Sequence, residues 1–366
     1  MKNSFGQNIT LTLFGESHGS AIGAVLDGLA PGIPVDEAFI ASQLALRRPY
    51  GDLGTQRREV DRFTIVSGVF QGTTTGTPLC IMIPNEDTDS RSYEDLRTCP
   101  RPGHADYTAQ CKYHGFQDYR GGGHFSGRLT AAIVAAGAIA IAALREKGIF
   151  IGTHMLRCGG VEDRPFDDLA ADIAALNTLQ FAVLEKKAGL AMEDRIRHAA
   201  QDGDSVGGVL ETAVIGVPAG VGEPWFNTVE GLLSHALFSI PAIKGVQFGA
   251  GFDMIDSPGS QYNDNFALED GRIVTETNHN GGINGGITNG MPLLFRCAVK
   301  PTPSIFKEQR TVDLSAMEPA TLQIQGRHDP AIIHRARVVV DSITALVLCD
   351  LLAERYGTDY LGGGGR

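Results

Sequence analysis

Two histidines lie in short, glycine-flanked segments, where a side chain is more often presented to a ligand than packed in a core. His18 lies within residues 15–19 (Gly-Glu-Ser-His-Gly), and His104 follows Pro-Gly in residues 101–108. Because an imidazole changes its charge near neutral pH, either histidine could act as a general acid or base. The alternative for each is a side chain that only hydrogen-bonds its own turn.

A carboxylate and a cluster of basic residues extend this chemistry. Asp329 precedes a predicted long helix, where it could take up a proton or act only as an N-cap. The segment 300–304 (Lys-Pro-Thr-Pro-Ser) could bind a phosphate or a cofactor, or form a simple turn. Many arginines lie beside Gly, Pro or His on predicted loops and helix ends: Arg47, Arg48, Arg57, Arg58, Arg101, Arg120, Arg128, Arg327, Arg335 and Arg337. Arginine binds phosphate and carboxylate bidentately, so these residues predict a substrate with several anionic groups.

Residues 121–144 join a glycine-rich loop to an unbroken apolar run, and this pattern predicts a helix buried on all sides. The N-terminus of such a helix attracts anions, and Arg128 adds a full positive charge there. A Walker loop is excluded because Gly127 is not followed by Lys and then Ser or Thr. A Rossmann fingerprint is disfavoured because the preceding residues are polar and aromatic. The loop therefore predicts a site for an anionic small molecule.

Composition excludes several classes of partner. The 366 residues carry a net charge of −11, which argues against a general nucleic-acid or membrane-surface binder. The six cysteines form no C-x-x-C pair, and the first ten residues contain no apolar signal segment, so a cytoplasmic location is expected. Residues 104–106 and 328–330 lack a third ligand at a standard spacing, so no metal site is expected.

The order of predicted elements indicates an internal duplication within one domain covering residues 1–366. Strands are predicted near residues 8–14, 21–29, 61–70, 78–84 and 149–156. The pattern G-x-T-x-G-x-P occurs at 72–78 and again at 286–292. We expect repeat halves at about 7–150 and 207–356, with a helical connection at 162–204. Each half would contribute strands and one long buried helix, and loops from both halves would meet at one cleft.

Six motifs, in this order, resemble the chorismate synthase family: GESHGSAIGAVLDGLAPG, RPGHADYT, GGGHFSGRLTAAIVAAGAIA, HNGGINGG, KPTPS and GRHDP. The resemblance covers nearly the whole chain. It implies an α+β fold, a β-α-β sandwich with internal duplication and with long central helices packed between antiparallel sheets, assembled as a homotetramer. It also implies a lyase that converts 5-enolpyruvylshikimate 3-phosphate to chorismate and phosphate by a 1,4-elimination with reduced FMN (FMNH2).

The resemblance implies roles for individual residues. His18 would protonate the departing phosphate, and His104 would protonate or stabilise the reduced flavin. Asp329 would help to remove the ring proton, with the flavin as the immediate base, and Ser17 and Ser126 would support the hydrogen-bond network. The implied substrate ligands are Arg47, Arg58, Arg128 and Arg335. The implied FMN contacts are His124, Phe125, Ser126, Pro241, Ala242, Gly285, Lys300, Pro301, Thr302, Pro303, Ser304 and Arg327.

The sequence departs from the family pattern in two places. Asp52 and Leu53 stand in a loop where many members carry an arginine, and His124 and Phe125 replace a common Arg-Ser pair. Because the chain has no dinucleotide fingerprint, an external flavin reductant is expected rather than direct use of NADP. Two alternatives remain: a non-catalytic anion- or nucleotide-binding module of duplicated α+β units, and a phosphatase-like hydrolase.

Overall fold

The structure is a computed structural model, and it describes residues 2–51, 53–54, 60–86, 95–324 and 329–362. The strands within these ranges are β1 (Ser4–Phe5), β2 (Thr10–Gly15), β3 (Ala21–Asp27), β4 (Thr64–Ser67), β5 (Val69–Phe70), β6 (Thr73–Thr74), β7 (Leu79–Pro84), β8 (Phe150–Cys158), β9 (Val161–Glu162), β10 (Gly208–Ile215), β11 (Ile243–Phe248), β12 (Phe266–Glu269), β13 (Arg272–Thr275), β14 (Ile283–Asn284), β15 (Ile287–Thr288), β16 (Leu293–Val299), β17 (Gln309–Asp313) and β18 (Glu318–Leu322). The helices are α1 (Glu37–Leu46), α2 (Asp106–Tyr113), α3 (Thr130–Glu146), α4 (Leu169–Leu176), α5 (Lys186–Gln201), α6 (Val229–Leu237), α7 (Gly259–Tyr262) and α8 (Ile333–Tyr356).

Two antiparallel sheets form the outer layers. In the described part of the chain the first sheet has the order β1-β2-β3-β7-β4, and the second has the order β11-β16-β10-β8-β9. In the first sheet Ala24 pairs with Leu13 on one side and with Ile81 on the other. In the second sheet Leu210 pairs with Met155 and Cys297. Leu13 is half-buried and the other side chains are buried, so each sheet contributes one face to the core.

The long helices α3 and α8 lie between the sheets. Helix α3 packs on β3 and β7, helix α8 packs on β8 and β10, and the two helices pack against each other. They approach closely at Gly137, where a β-carbon would lie 2.3 Å from the β-carbon of Ser342. Residues Gly127–Glu146 are long and apolar enough to cross a bilayer, but 89% of their most apolar window is buried inside the protein. The predicted α+β sandwich with long central helices is confirmed.

Local contacts fix the ends and the packing of individual helices. Asp36 caps α1, because its carboxylate accepts hydrogen bonds from the backbone N–H groups of Ala38 (2.8 Å) and Phe39 (3.1 Å). Within the predicted connection, α4 packs on the outer face of the second sheet, and α5 packs on β9. The central helix begins at Thr130, within the apolar run, and the three glycines of the loop before it have φ angles of 60°, 82° and 55°. These left-handed conformations cannot continue a right-handed helix.

The two sheets share one strand order. The order β2-β3-β7-β4 in the first sheet corresponds to β8-β10-β16-β11 in the second. The two G-x-T-x-G-x-P motifs also make matching hydrogen bonds: Thr74 donates to the carbonyl of Ala30 (2.6 Å) and Thr288 donates to the carbonyl of Pro218 (2.6 Å). We propose that the second repeat unit begins with β8, because β8 occupies the place of β2.

Candidate active site

A cleft of about 620 Å³ gathers most of the residues singled out from the sequence. It lies where the loops before α3 and α8 meet the segments that follow α6 and β16. Among the described residues, seven cationic side chains from both halves line it: Arg47, Arg48, Arg101, Arg128, Lys244, Lys300 and Arg335. A cleft of this size holds a cofactor-sized ligand, and its charge favours anions.

Arg47 and Arg128 are buried on either side of Asp61. Arg128 donates to the carboxylate of Asp61 and, at 3.0 Å, to the side-chain oxygen of Asn85. Arg47 lies 4.0 Å from the same carboxylate and donates to the backbone carbonyl of Arg128 at 3.1 Å. Asp61 has a φ of 52°, a backbone conformation that a non-glycine residue adopts at a cost. The carboxylate therefore keeps two like charges together at one wall of the cleft.

The glycine loop passes between the two predicted acid–base histidines. A β-carbon at position 121 would lie 2.5 Å from the imidazole of His18, and one at position 122 would lie 3.3 Å from that of His104. Gly121 and Gly122 both have positive φ, so the backbone makes this approach only without side chains. His104 and Gly121 line the cleft. His18 does not line it, but the half-buried imidazole lies directly behind Gly121.

His104 is held by a charged pair from its own segment. Its Nδ1 lies 2.6 Å from a carboxylate oxygen of Asp106, and Arg101 donates two side-chain hydrogen bonds of 2.8 Å to the same carboxylate. Burial acts to raise the pKa of Asp106, but the hydrogen bonds and charges of Arg101 and His104 outweigh it and hold that pKa well below its usual range. Asp106 is therefore ionised beside the imidazole.

His124, Phe125 and Ser126 continue the loop along the cleft. Nδ1 of His124 lies 2.8 Å from the carbonyl oxygen of Gly15, which can only accept, so Nδ1 carries the proton. The ring of Phe125 packs edge-on against Tyr113. The hydroxyl of Ser126 accepts from the backbone N–H of Arg128 at 3.3 Å. Ser126 thus caps the short 3-10 turn, Gly127–Leu129, that leads into α3.

Asp329 is not the N-cap of α8. The helix begins at Ile333, its N-cap residue Ile332 makes no side-chain capping bond, and the Asp329 carboxylate accepts a hydrogen bond from Arg335. Arg335 also donates to the backbone carbonyl of Arg47 at 2.9 Å. The N-cap alternative is therefore wrong. Asp329 and Arg335 form an ion pair that lines the cleft beside the Arg47 wall.

The segment after β16 forms the opposite wall. Lys300 donates to the backbone carbonyl of Gly103, and its pKa is lowered by burial and by the charge of Lys244. Ser304 lies 3.3 Å from Arg101, within hydrogen-bond distance. The buried hydroxyl of Thr302 has no hydrogen-bond partner among the described residues, although it belongs to a residue that lines the cleft. This hydroxyl can therefore bond to a ligand.

Not every predicted site residue reaches the cleft. Pro241, Ala242 and Pro303 line it. Pro301 does not, and it packs on the backbone of Gly207 instead. Gly285 lies in the turn between β14 and β15, and its neighbour Gly286 contacts Thr228 at the N-terminal end of α6. The cleft meets the opposite end of that helix, which is why Gly285 is apart from it.

Three further predicted residues lie behind the cleft or outside the described chain. Ser17 is buried, and its backbone N–H donates to the carbonyl of Gly123 at 3.1 Å, so it supports the glycine loop from behind. Arg58 and Arg327 lie outside the described residues.

Sequence reasoning missed four residues of the site. No sequence motif marks Asp61 or Lys244 as a site residue, because the residues beside them in the cleft come from distant segments of the chain. Arg48 was noted only as one of many arginines, yet its Nε has no partner in the described part of the chain. Asp106 was considered only as a metal ligand. The His-x-Asp spacing at a helix start was a usable signal, since α2 begins at Asp106 and turns its carboxylate back to His104.

Comparison with known proteins gives one consistent result. The family model described as chorismate synthase matches residues 9–353. The chorismate synthase of Thermococcus kodakarensis is 46% identical over 350 residues, covering 96% of this chain and 97% of its own length. That of Aeropyrum pernix is 46% identical over 355 residues, covering 97% and 93%. A crystal structure of a chorismate synthase matches with a TM-score of 0.76 at 28% identity, covering 98% of this chain and 95% of its own. The chain therefore belongs to the chorismate synthase family, lyases of the shikimate pathway.

Proposed function

We propose that the cleft converts 5-enolpyruvylshikimate 3-phosphate to chorismate and inorganic phosphate by a 1,4-elimination that requires reduced FMN. Family membership makes the chain a lyase of the shikimate pathway, which leads to the aromatic amino acids. The cofactor, the residue roles and the assembly are the finer parts of the proposal.

The cleft suits a flavin mononucleotide. Phe125, Ile240 and Pro241 offer apolar surface for a flat ring, and Lys300 and Lys244 offer charge for a phosphate. The Thr302 hydroxyl, which has no hydrogen-bond partner in the described chain, offers the ligand a polar group at the cleft. Bound reduced FMN supplies electron density as the phosphate leaves and recovers it as the ring proton is lost.

The arginines suit a substrate with one phosphate and two carboxylates. Arg47, Arg128 and Arg335 line the same side of the cleft and are linked through one another's backbone carbonyls and through Asp61. Such a preformed array holds the substrate and stabilises the charge that develops on the departing phosphate. The Asp61 and Asp329 carboxylates keep the array ordered without cancelling its positive charge.

Three residues then handle protons. We assign His18 to protonating the departing phosphate and His104 to holding a proton towards the reduced flavin. Asp329 takes up the proton lost from the substrate ring. His104 and Asp329 line the cleft, and His18 lies directly behind Gly121, which also lines it.

The observation that carries the proposal is the Thr302 hydroxyl, left without a described partner at the cationic cleft. The test is anaerobic turnover with photoreduced FMN, following chorismate absorbance and phosphate release. We expect both to require reduced FMN. Thr302→Val should weaken FMN binding about 10-fold, the size expected from one lost hydrogen bond to a charged group.

Thr178→Val provides the matched control, because that hydroxyl only bonds the Ala175 carbonyl at the end of α4. Phosphate release without chorismate would indicate a hydrolase. Saturable ligand binding without turnover would indicate an anion-binding module. Either result contradicts the proposed reaction.

Three further points belong to the proposal. The flavin is reduced by an external partner, so wild-type turnover with FMN and NADPH alone should be absent. The chain forms a homotetramer, in keeping with exposed apolar side chains that another copy could cover: Phe252, Ile255, Phe266, Leu268 and Ile273. It acts in the cytoplasm, in keeping with six cysteines that are all unpaired. Light scattering of the purified protein checks the assembly.

A further inference from the structure

We propose that Asp106 is a positioning residue that fixes one proton of His104 on Nδ1, so that Nε2, the nitrogen turned towards the cleft, is the one that gives and takes the catalytic proton. The inference rests on the proposed acid–base role of His104. It assigns a specific task to a buried carboxylate that touches neither substrate nor cofactor.

The contacts of Asp106 account for all of its strong hydrogen-bonding positions. One oxygen accepts from the backbone N–H of Arg101 (3.0 Å) and from its Nε (2.8 Å). The other accepts from Nη2 of Arg101 (2.8 Å) and lies 2.6 Å from Nδ1 of His104. A backbone hydrogen bond from His104 to the carbonyl of Arg101 closes the turn that brings these side chains together. The carboxylate is therefore fixed in place before any ligand binds.

This arrangement selects one tautomer. An ionised carboxylate has no proton to donate, so a bare Nδ1 lone pair at 2.6 Å from it would be repelled. Nδ1 must therefore carry a proton that it donates to Asp106. Nη2 of Arg101 is 3.0 Å from the same Nδ1 and 2.8 Å from the carboxylate oxygen, so it competes for Nδ1, and the shorter 2.6 Å contact with the ionised carboxylate decides the tautomer. Nε2 is left as the exchangeable nitrogen, on the side of Gly122.

Removal of the Asp106 carboxylate would favour the other tautomer of neutral His104. The guanidinium of Arg101, freed from Asp106, is already within reach of Nδ1 and can donate to it. The proton of neutral His104 would then move to Nε2. A comparable change of tautomer in a hydrolase triad lowers kcat by about 10⁴, and loss of an orienting partner of a metal-bound histidine costs about 10- to 100-fold.

The charges around His104 determine the direction of the pH effect. Arg101 and Asp106 face it from its own segment, and Lys300 approaches from the opposite wall through Gly103. Asp118 lies across a second cavity of about 360 Å³, which His104 and Asp106 also line. Without the Asp106 charge, the guanidinium of Arg101 remains 3.0 Å from Nδ1. The protonated imidazole would then be less favoured in the variant than in the wild type.

Asp106→Asn tests the inference in the full chain with reduced FMN. We expect kcat to fall on the order of 100-fold with KM changed less than about threefold. The basic limb of the pH–rate profile should move to lower pH by about 1–3 units, the range for loss of one adjacent opposite charge. Asp194→Asn is the matched control, since Asp194 pairs with His198 (3.3 Å) on the exposed face of α5, and it should leave both readouts unchanged.

A folded Asp106→Asn protein with the wild-type kcat and pH profile overturns the inference. Should that variant not fold, Asp106→Glu serves instead, because it keeps the charge but displaces the carboxylate by one methylene. We expect it to lower kcat about 10-fold without moving the basic limb, and an unchanged kcat overturns the inference. His104→Ala distinguishes failure of this inference from failure of the proposed function. Wild-type turnover in that variant refutes the proposed role of His104 itself.

Discussion

The two sheets share a strand order, but the halves of the chain use their histidines differently. His104, in the first half, has one ring nitrogen bound to Asp106 and the other on the side of the Gly122 backbone at the cleft, and 19% of its side chain is exposed. His154, on β8, is 0% exposed, with Nδ1 at 3.0 Å from Asp163 and Nε2 at 3.1 Å from Glu211. Both lie beside carboxylates, yet only His104 keeps a nitrogen available for chemistry.

The difference shows what distinguishes a reactive histidine from a structural one in this fold. Asp163 also accepts from the backbone N–H groups of Leu184 (2.6 Å) and Glu185 (2.9 Å), just before α5. Glu211 also accepts from Arg296 at 2.8 Å. The His154 cluster therefore fastens the helical connection to the second sheet. In both places an imidazole bonds to a carboxylate through Nδ1. Whether Nε2 is accessible or is bonded to a second carboxylate decides whether the histidine is reactive or structural.

The largest effect should come from His104→Ala. Because this variant removes a general acid but few packing contacts, we expect kcat to fall about 10²- to 10⁴-fold while the free energy of unfolding changes by less than about 1 kcal/mol. Anaerobic turnover with reduced FMN and urea denaturation measure the two quantities. A variant that loses stability but retains turnover would break the comparison, because His104 would then resemble His154.

His154→Ala should produce the opposite result. It leaves Asp163 and Glu211 buried without their shared partner, so we expect the free energy of unfolding to fall by about 3–5 kcal/mol. The control is His198→Ala on α5, where an exposed imidazole lies 3.3 Å from Asp194 and the loss should stay below about 1 kcal/mol. Equal losses in the two variants would show that burial between carboxylates does not stabilise the second half.

The sequence was most informative where a residue type has one conformational use. The glycines at 121–123 were correctly placed before the central helix, because positive φ is nearly confined to glycine. Asp36 caps a helix through its own side chain, and the apolar strands show an alternating pattern, so both can be read from a few neighbouring residues. The arginine-lined cleft was predicted from the number of arginines beside Gly and Pro, although the position of each arginine was not.

The remaining features depend on contacts between distant segments. Asp61 belongs to the site only because Arg47 and Arg128 come from α1 and from the loop before α3. The partners of His154 lie 9 and 57 residues away, so no local pattern distinguishes it from a catalytic histidine. For Asp329 the sequence allowed either an N-cap or an acid–base role. Its pairing with Arg335 could not be predicted, because it depends on α8 starting at Ile333.

The smallest effect concerns pH. Burial alone would lower the pKa of His154, but the hydrogen bonds and charges of Asp163 and Glu211 outweigh it and raise that pKa. A group whose pKa is raised on folding stabilises the fold fully below its unfolded pKa, about 6.5, and loses that contribution as pH rises through the folded pKa. The stability difference between the wild type and His154→Gln should therefore be largest near pH 6 and shrink towards pH 9.

Urea denaturation of both proteins across this range gives the difference directly. A difference that stays constant would mean that folding leaves the pKa of His154 unchanged. Its contribution to stability would then come from hydrogen bonding and packing alone, and the contrast with His104 would rest on burial only.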